Sequence, residues 1–155
     1  MRRKTAKRNP VLPDPRFNSE LVTKFVNNLM LQGKKSIAMS IFYDAIDRIE
    51  AKTEEDGLEL FKKALVNVTP AVEVRSRRVG GATFQIPQPI RDSRKLSMAM
   101  KWLISYTRKR NEKSMAERLA GEIIAAAKEE GATFKKKEDT HRMAEANKAF
   151  SHFRF

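Results

Sequence analysis

Val72-Glu73-Val74-Arg75-Ser76-Arg77-Arg78-Val79-Gly80-Gly81-Ala82-Thr83-Phe84-Gln85-Ile86 decides the fold of this chain. Apolar and charged residues alternate with period two up to Val79, a Gly-Gly pair follows, and Thr83 to Ile86 alternates again. Two alternating runs around Gly80-Gly81 predict a β-hairpin over residues 72–88. Pro87 and Pro89 are expected to end it, because neither can donate to a strand ladder. An isolated two-stranded hairpin is marginal in water, and eight residues at roughly 3.3 Å each reach about 26 Å, more than a simple connection needs. Its Arg75, Arg77 and Arg78 suit phosphate, since a planar guanidinium donates two parallel hydrogen bonds, and a β-ribbon fits a nucleic-acid groove.

Outward from the hairpin the period changes to that of a helix. Upstream, a first helix is expected from about Ser19 to Gly33, with Leu21, Val22, Phe25, Val26 and Leu29 on one face. A second, from about Ser36 to Lys52, carries Ile37, Ile41, Phe42, Ala45, Ile46 and Ile49. A third carries Leu58, Phe61, Leu65 and Val66 until Pro70 stops it. Downstream, a fourth helix capped by Asp92 or Ser93 lines up Leu96, Met100, Leu103 and Thr107, with Arg94, Lys101, Ser105 and Arg108 opposite. The fifth opens with the capping box Ser114-Met115-Ala116-Glu117 and ends at Gly131. The last runs from about Thr140 to the end with Met143, Ala146, Phe150 and Phe153. The expected fold is mainly α: a six-helix, bundle-like body with a protruding β-hairpin between the third and fourth helices. Residues 1–16 are expected to be a disordered basic arm, too poor in apolar residues to order alone, and residues 17–155 one helical domain.

The 155 residues carry 32 Lys+Arg against 19 Asp+Glu, a net charge of +13 and a pI near 10.2. At this length about 70% of the unfolded chain's surface can be buried, and 41% hydrophobic residues suffice for a core. The absence of cysteine excludes disulfides, thiolate nucleophiles and Cys-based metal sites. No apolar run approaches the roughly 18 residues of a membrane span, and no apolar stretch follows the basic start as in a secretory signal. A cytosolic protein fits best. Such an excess of positive charge repels itself unless a polyanion neutralises it. The charge is also segregated. Residues 44–59 hold seven acids (Asp44, Asp47, Glu50, Glu54, Glu55, Asp56, Glu59) and two bases, a net −5 that leaves +18 for the rest. The acidic stretch lacks the residue order of a calcium loop and is taken as a solvated helix end.

The candidate cations form stations. They are the arm (Arg2, Arg3, Lys4, Lys7, Arg8), the pair Lys34-Lys35, the ribbon arginines with Arg91, Arg94 and Lys95 just after them, Lys101 on the fourth helix, and Arg108-Lys109-Arg110 with Lys113. Lys135-Lys136-Lys137 is a weaker one. Gly80-Gly81 lacks the strand–loop–helix context of a phosphate-cradling loop, so a hairpin turn accounts for it. His141 and His152 have no partners at ligand spacing, and Trp102 and Tyr106 are accounted for by packing at the core edge. No nucleophile–base–orienter set can be assembled, so no enzyme and no cofactor are expected. A DNA-binding regulator is the main rival, weakened by the lack of a basic recognition helix; an RNA-modifying enzyme would have to rely on His141.

The same residues carry a resemblance. Gly33-Lys34-Lys35-Ser36-Ile37-Ala38, Thr69-Pro70, the run from Val74 to Thr83, Arg108-Lys109-Arg110 and the long stretch from Lys136 to Phe150 together resemble the bacterial form of the small-subunit ribosomal protein number seven family. The resemblance runs essentially end to end. It implies a structural constituent of the small ribosomal subunit that binds ribosomal RNA and nucleates assembly of the 3′ major domain, the head. It also implies that the arm, the loop at Lys34-Lys35, the hairpin and the fourth helix lie against that RNA. By the same resemblance, the hairpin tip (Gly80, Gly81, Ala82) and the C-terminal helix (Arg142, Lys148) reach toward exit-site transfer RNA, with small-subunit proteins nine and eleven as neighbours. No membrane and no small-molecule substrate are implied. One departure stands out: Gln88-Pro89 replaces the family's usual strand continuation, so a shortened ladder is expected. The chain stops at Phe155 where some relatives run longer, so less reach toward transfer RNA is expected.

Overall fold

A computed structural model describes residues 9–153, and its described residues contain six α-helices and one two-stranded antiparallel sheet between the third and fourth of them. Strand β1 is Val72–Val79 and β2 is Ala82–Pro89, paired from Val79↔Ala82 to Val72↔Pro89. Gly80 and Gly81 have φ of 56° and 91°, the two positive values of a type I′ turn, whose twist matches that of the strands. The expectation that Pro87 and Pro89 end or shorten the ladder is corrected, for both lie inside β2. The Ile90 amide donates to the Ala71 carbonyl (3.1 Å) just beyond the last pair. Counting back from that bonded pair, Pro87 and Pro89 occupy the alternate positions, where a strand amide points away from its partner. The missing N–H groups therefore remove no ladder bond.

The chain clusters into two compact units, residues 1–40 and 41–155, with the boundary inside helix α2 (Lys35–Thr53). In the second unit, α3 (Gly57–Val68) packs on α5 (Met115–Ala127), and α4 (Asp92–Thr107) packs on both. Helix α6 (Gly131–Ala146) lies along α5 and the ribbon. A final 3₁₀ helix, Lys148–Phe153, rests on β2, where Phe150 and Phe84 meet with ring centroids 5.2 Å apart. Phe42 and Phe61 meet edge to face at 5.2 Å in the core, joined by buried Ile46, Ile49, Leu65, Met100, Leu103, Leu119 and Ile123. On α2 and α3 two residues expected in the core are not there: Ile37 is 54% exposed and Val66 73%. Each sits about 100° round its helix from the true stripe. That stripe passes through Ala38, Phe42, Ala45 and Ile49 on α2 and through Phe61, Ala64, Leu65 and Val68 on α3.

The ends of the later helices also differ from expectation. The Ser114–Glu117 capping box forms with both halves present, but α5 ends at Ala127 instead of Gly131. Glu129 takes φ of 62°, its amide donates to Ala126 O, and the Glu130 amide donates to Ala125 O (2.8 Å). This is a Schellman ending with glutamate where glycine is usual. Helix α6 then begins at Gly131, nine residues before Thr140, so Lys135, Lys136 and Lys137 lie within it. Its start is stabilised from outside: the Glu122 carboxylate of α5 accepts the Thr133 amide (3.0 Å) and the Thr133 hydroxyl. The last helix does not run on to the end, because it gives way to the 3₁₀ turn at Asn147. Met143 and Ala146 are exposed, and Thr140 and Ala144 are buried in their place. Helix α4 has Arg91 at its cap position with no side-chain bond, and Asp92 is its first helical residue.

In the first unit, helix α1 is Glu20–Leu29 and buries Val22, Phe25, Val26 and Leu29. It stops before Gly33 because Met30 leaves the helix at ψ 136° and Gln32 and Gly33 follow at positive φ. Of the expected disordered arm, residues 1–8 lie outside the described residues. Asp14 is ordered and buried: its carboxylate accepts the amides of Arg16 and Phe17, each at 3.1 Å. This is an Asx turn leading into α1.

Candidate nucleic-acid interface

The cations are best followed element by element. The arm residues Arg2, Arg3, Lys4, Lys7 and Arg8 lie outside the described residues. In the first unit every residue from Leu31 to Ile37 is exposed, which leaves Lys34, in the connection, and Lys35, the first residue of α2, facing solvent.

On the ribbon, strand period divides the arginines. Directly paired residues share a face, so Arg75 lies beside Ile86 and Arg77 beside Phe84, while Arg78 lies beside Thr83 on the opposite face. The ribbon therefore carries cations on both sides. Ile86 is buried, so the face holding Arg75 is anchored at its base. Glu73, 13% exposed, bridges two cations: Arg75 Nε at 3.3 Å and Arg94 Nε at 3.1 Å. That acid ties the ribbon to the start of α4, and the sequence reading missed its role. Its signal was there, an acid in phase with Arg75, but its partner on α4 lies 21 residues away.

Along α4 the expected polar stripe is present. Arg94, Lys101, Ser105 and Arg108 are all exposed, while Met100, Leu103 and Thr107 are buried opposite. At 1.5 Å per residue the stripe from Arg94 to Arg108 spans about 21 Å. Arg91 is exposed beside it, and Lys95 donates to Asp92 (2.7 Å), which holds that carboxyl below its ordinary range. After α4, Arg108, Lys109 and Lys113 are exposed, with Lys109 Nζ 5.1 Å from the centre of the Tyr106 ring. Arg110 differs from its neighbours in turning to Glu112 and Glu122. Donation to Glu112 first, opposed by burial, and then to Glu122 leaves its guanidinium above its usual value. On α6, Lys137 donates to Asn67 O (2.7 Å) and so closes the end of α3. Arg142 is mostly exposed, 3.7 Å from Asp139.

His141, which the expected start near Thr140 would put in the first turn of the last helix, is in mid-helix. Its Nε2 accepts the Ala71 amide at 3.1 Å, so the ring is neutral with the proton on Nδ1. It lines an apolar groove of about 340 Å³ with Val72, Pro87 and Ala144, at the base of the ribbon. Burial, and then Lys137, lower its pKa from the ordinary 6.5. The folded state thus binds its proton less readily than the unfolded chain. The contribution is whole above about pH 6.5 and fades as pH falls through that value toward the lowered one. Urea melts of the parent and of His141→Ala should therefore differ most above pH 7, and the gap should shrink as pH falls below about 6.5. A gap that widens on acidification would contradict the neutral, accepting ring.

The acids Asp44, Asp47, Glu50, Glu54, Glu55, Asp56 and Glu59 are all exposed on α2, α3 and the turn between them. Among the described residues no helix is long and apolar enough to cross a membrane.

A family model described as ribosomal protein S7p/S5e matches residues 1–148. The small ribosomal subunit protein uS7 of Flavobacterium johnsoniae is 70% identical over 158 aligned positions, with both chains covered completely. The protein of the same name from Cytophaga hutchinsonii is 63% identical over 155 positions with the same coverage. That from Nautilia profundicola is 56% identical over 155 positions, again with 100% of both chains.

Proposed function

This chain belongs to the ribosomal protein S7p/S5e family, and on that premise we propose that it is a primary binder of ribosomal RNA that nucleates the head of the small subunit. As a family member it is a structural protein of the small ribosomal subunit, in the cytoplasm, and not an enzyme. The observation that carries the finer reading is the two-faced cationic ribbon joined through Glu73 to the exposed stripe of α4. A strand pair with arginines on both sides can be gripped by phosphates from two directions, as a wedge between RNA helices requires. RNA duplexes present a wide minor groove with 2′-hydroxyls, so recognition here is of shape more than of base sequence.

The contacts to ribosomal RNA are assigned to the arm, Lys34, Lys35, Arg75, Arg77, Arg78, Arg91, Arg94, Lys95, Lys101, Arg108, Lys109 and Lys113. The exposed turn at Gly80, Gly81 and Ala82, with Arg142 and Lys148, is assigned to the side facing exit-site transfer RNA. Small-subunit proteins nine and eleven are the protein neighbours. The surface pairs of Arg75, Arg94 and Lys95 do not oppose this, since exposed ion pairs are worth about 0–1 kcal/mol and a phosphate can replace the carboxylate. The test is competition at fixed salt between a junction-containing fragment of head-domain ribosomal RNA and a DNA duplex of equal length. The RNA is expected to win by at least tenfold; equal or tighter binding to the duplex would remove the assignment.

A further inference from the structure

Between α4 and α5 the chain places four basic residues within six positions, and one of them faces the opposite way. Arg108, Lys109 and Lys113 are exposed. Arg110 forks inward: Nε and Nη2 reach Glu112 Oε1 at 2.8 and 2.7 Å, and Nη1 reaches Glu122 Oε2 at 2.9 Å. Glu122 is 1% exposed and its other oxygen is already taken by Thr133. The loop is held a second time through its backbone, by Arg118 Nε on the Glu112 carbonyl at 2.6 Å. Helix α5 also makes room for the fork. A Cβ added at Gly121 would lie 2.9 Å from Arg110 Nη2 and 3.1 Å from Glu112 Oε1, closer than those atoms could remain.

We propose that Arg110 is a positioning residue, held off the RNA by Glu112 and Glu122, which fixes the loop so that Arg108, Lys109 and Lys113 are presented to phosphates together. This rests on the assignment of that loop to ribosomal RNA. A carboxylate as buried as Glu122 cannot be left uncompensated, so Arg110 does not swing out to a phosphate. Sequence alone groups Arg108-Lys109-Arg110 as three equivalent cations; the structure separates two exposed ones from one paired with Glu112 and Glu122. The gain is preorganisation. A loop already fixed loses little freedom when it binds, whereas a loose loop carrying the same charges must be ordered at that moment. The same fork connects the loop to the start of α6, because the Glu122 carboxylate holds both Arg110 and Thr133.

The test is a salt titration of binding to the head-domain RNA fragment by Glu122→Gln. This variant keeps every cation and gains one unit of net charge. If Arg110 touched phosphate, releasing it would leave binding equal or tighter. The positioning role requires the opposite: affinity about tenfold weaker, with the slope of log K against log salt unchanged because no phosphate contact is removed. Should Glu122→Gln melt near the assay temperature, Arg110→Met combined with Glu122→Gln removes the buried charge pair together. For this double variant a slope smaller by about 0.7–0.9 would mean a lost phosphate contact and would overturn the inference. Weaker binding with the parent slope would support it. The triple variant Arg108→Ala, Lys109→Ala, Lys113→Ala separates the two levels. If it binds with the parent's affinity and slope, the loop is not on the RNA, and the inference falls with that assignment whatever the Glu122 variants do.

Discussion

Replacing Arg75, Arg77 and Arg78 together with alanine is expected to weaken binding to a head-domain ribosomal RNA fragment about a hundredfold at 0.15 M salt. The magnitude follows from counterion release. Each phosphate contact contributes roughly 0.7–0.9 to the slope of log K against log salt, so three lost contacts flatten it by about 2.1–2.7. Extrapolated down from 1 M, where the term vanishes, that slope change gives the hundredfold loss. The two curves should converge as salt rises. The fold itself should survive. Arg75 is largely exposed, and Glu73 keeps Arg94 as a partner when Arg75 is gone. Filter binding at several potassium chloride concentrations reads both quantities. An unaltered slope with unaltered affinity would take the ribbon off the RNA.

Phe61→Ala is expected to be the most damaging single core substitution, at about 3–5 kcal/mol. The ring is fully buried against Phe42, so truncation loses transfer free energy, an aromatic edge contact and close packing at once. A domain of this kind holds about 5–15 kcal/mol in total, so the loss removes a large part of it. Val66→Ala, five positions along the same helix, should change stability by less than about 0.5 kcal/mol, because that side chain is 73% exposed. Urea denaturation of the two variants separates them. Comparable losses would mean that the buried stripe of α3 has been placed on the wrong side.

Helix identity and the hairpin itself were legible because both depend on local rules. Alternation at 72–79, two glycines and resumed alternation are sufficient for a hairpin, and Ser114 with Glu117 contains both partners of its own cap. What was not legible depended on residues distant in sequence. Helix α6 could not be started at Gly131 from its own letters, because the group that satisfies Thr133 is Glu122, on the preceding helix. Pro87 and Pro89 read as a strand end only until the ladder's phase is known; Ile90 and Ala71 supply that phase. The candidate interface divides in the same way. Which side chains are cationic was plain. Which of them are held inward was not, and Arg110 and Lys137 are the cases where a tertiary acceptor decides the matter.

By itself the sequence determined the element types, their order around the ribbon, the excess of positive charge and its separation from the acidic stretch at 44–59. These follow from period and composition, which each segment carries alone. Tertiary structure alone decided that Ile37 and Val66 fall outside the buried stripes of α2 and α3, how far β2 and α6 extend, and which arginines face solvent. Those outcomes turn on pairing between groups many residues apart, above all the demand that a buried carboxylate such as Glu122 be matched by a cation and donors from other elements.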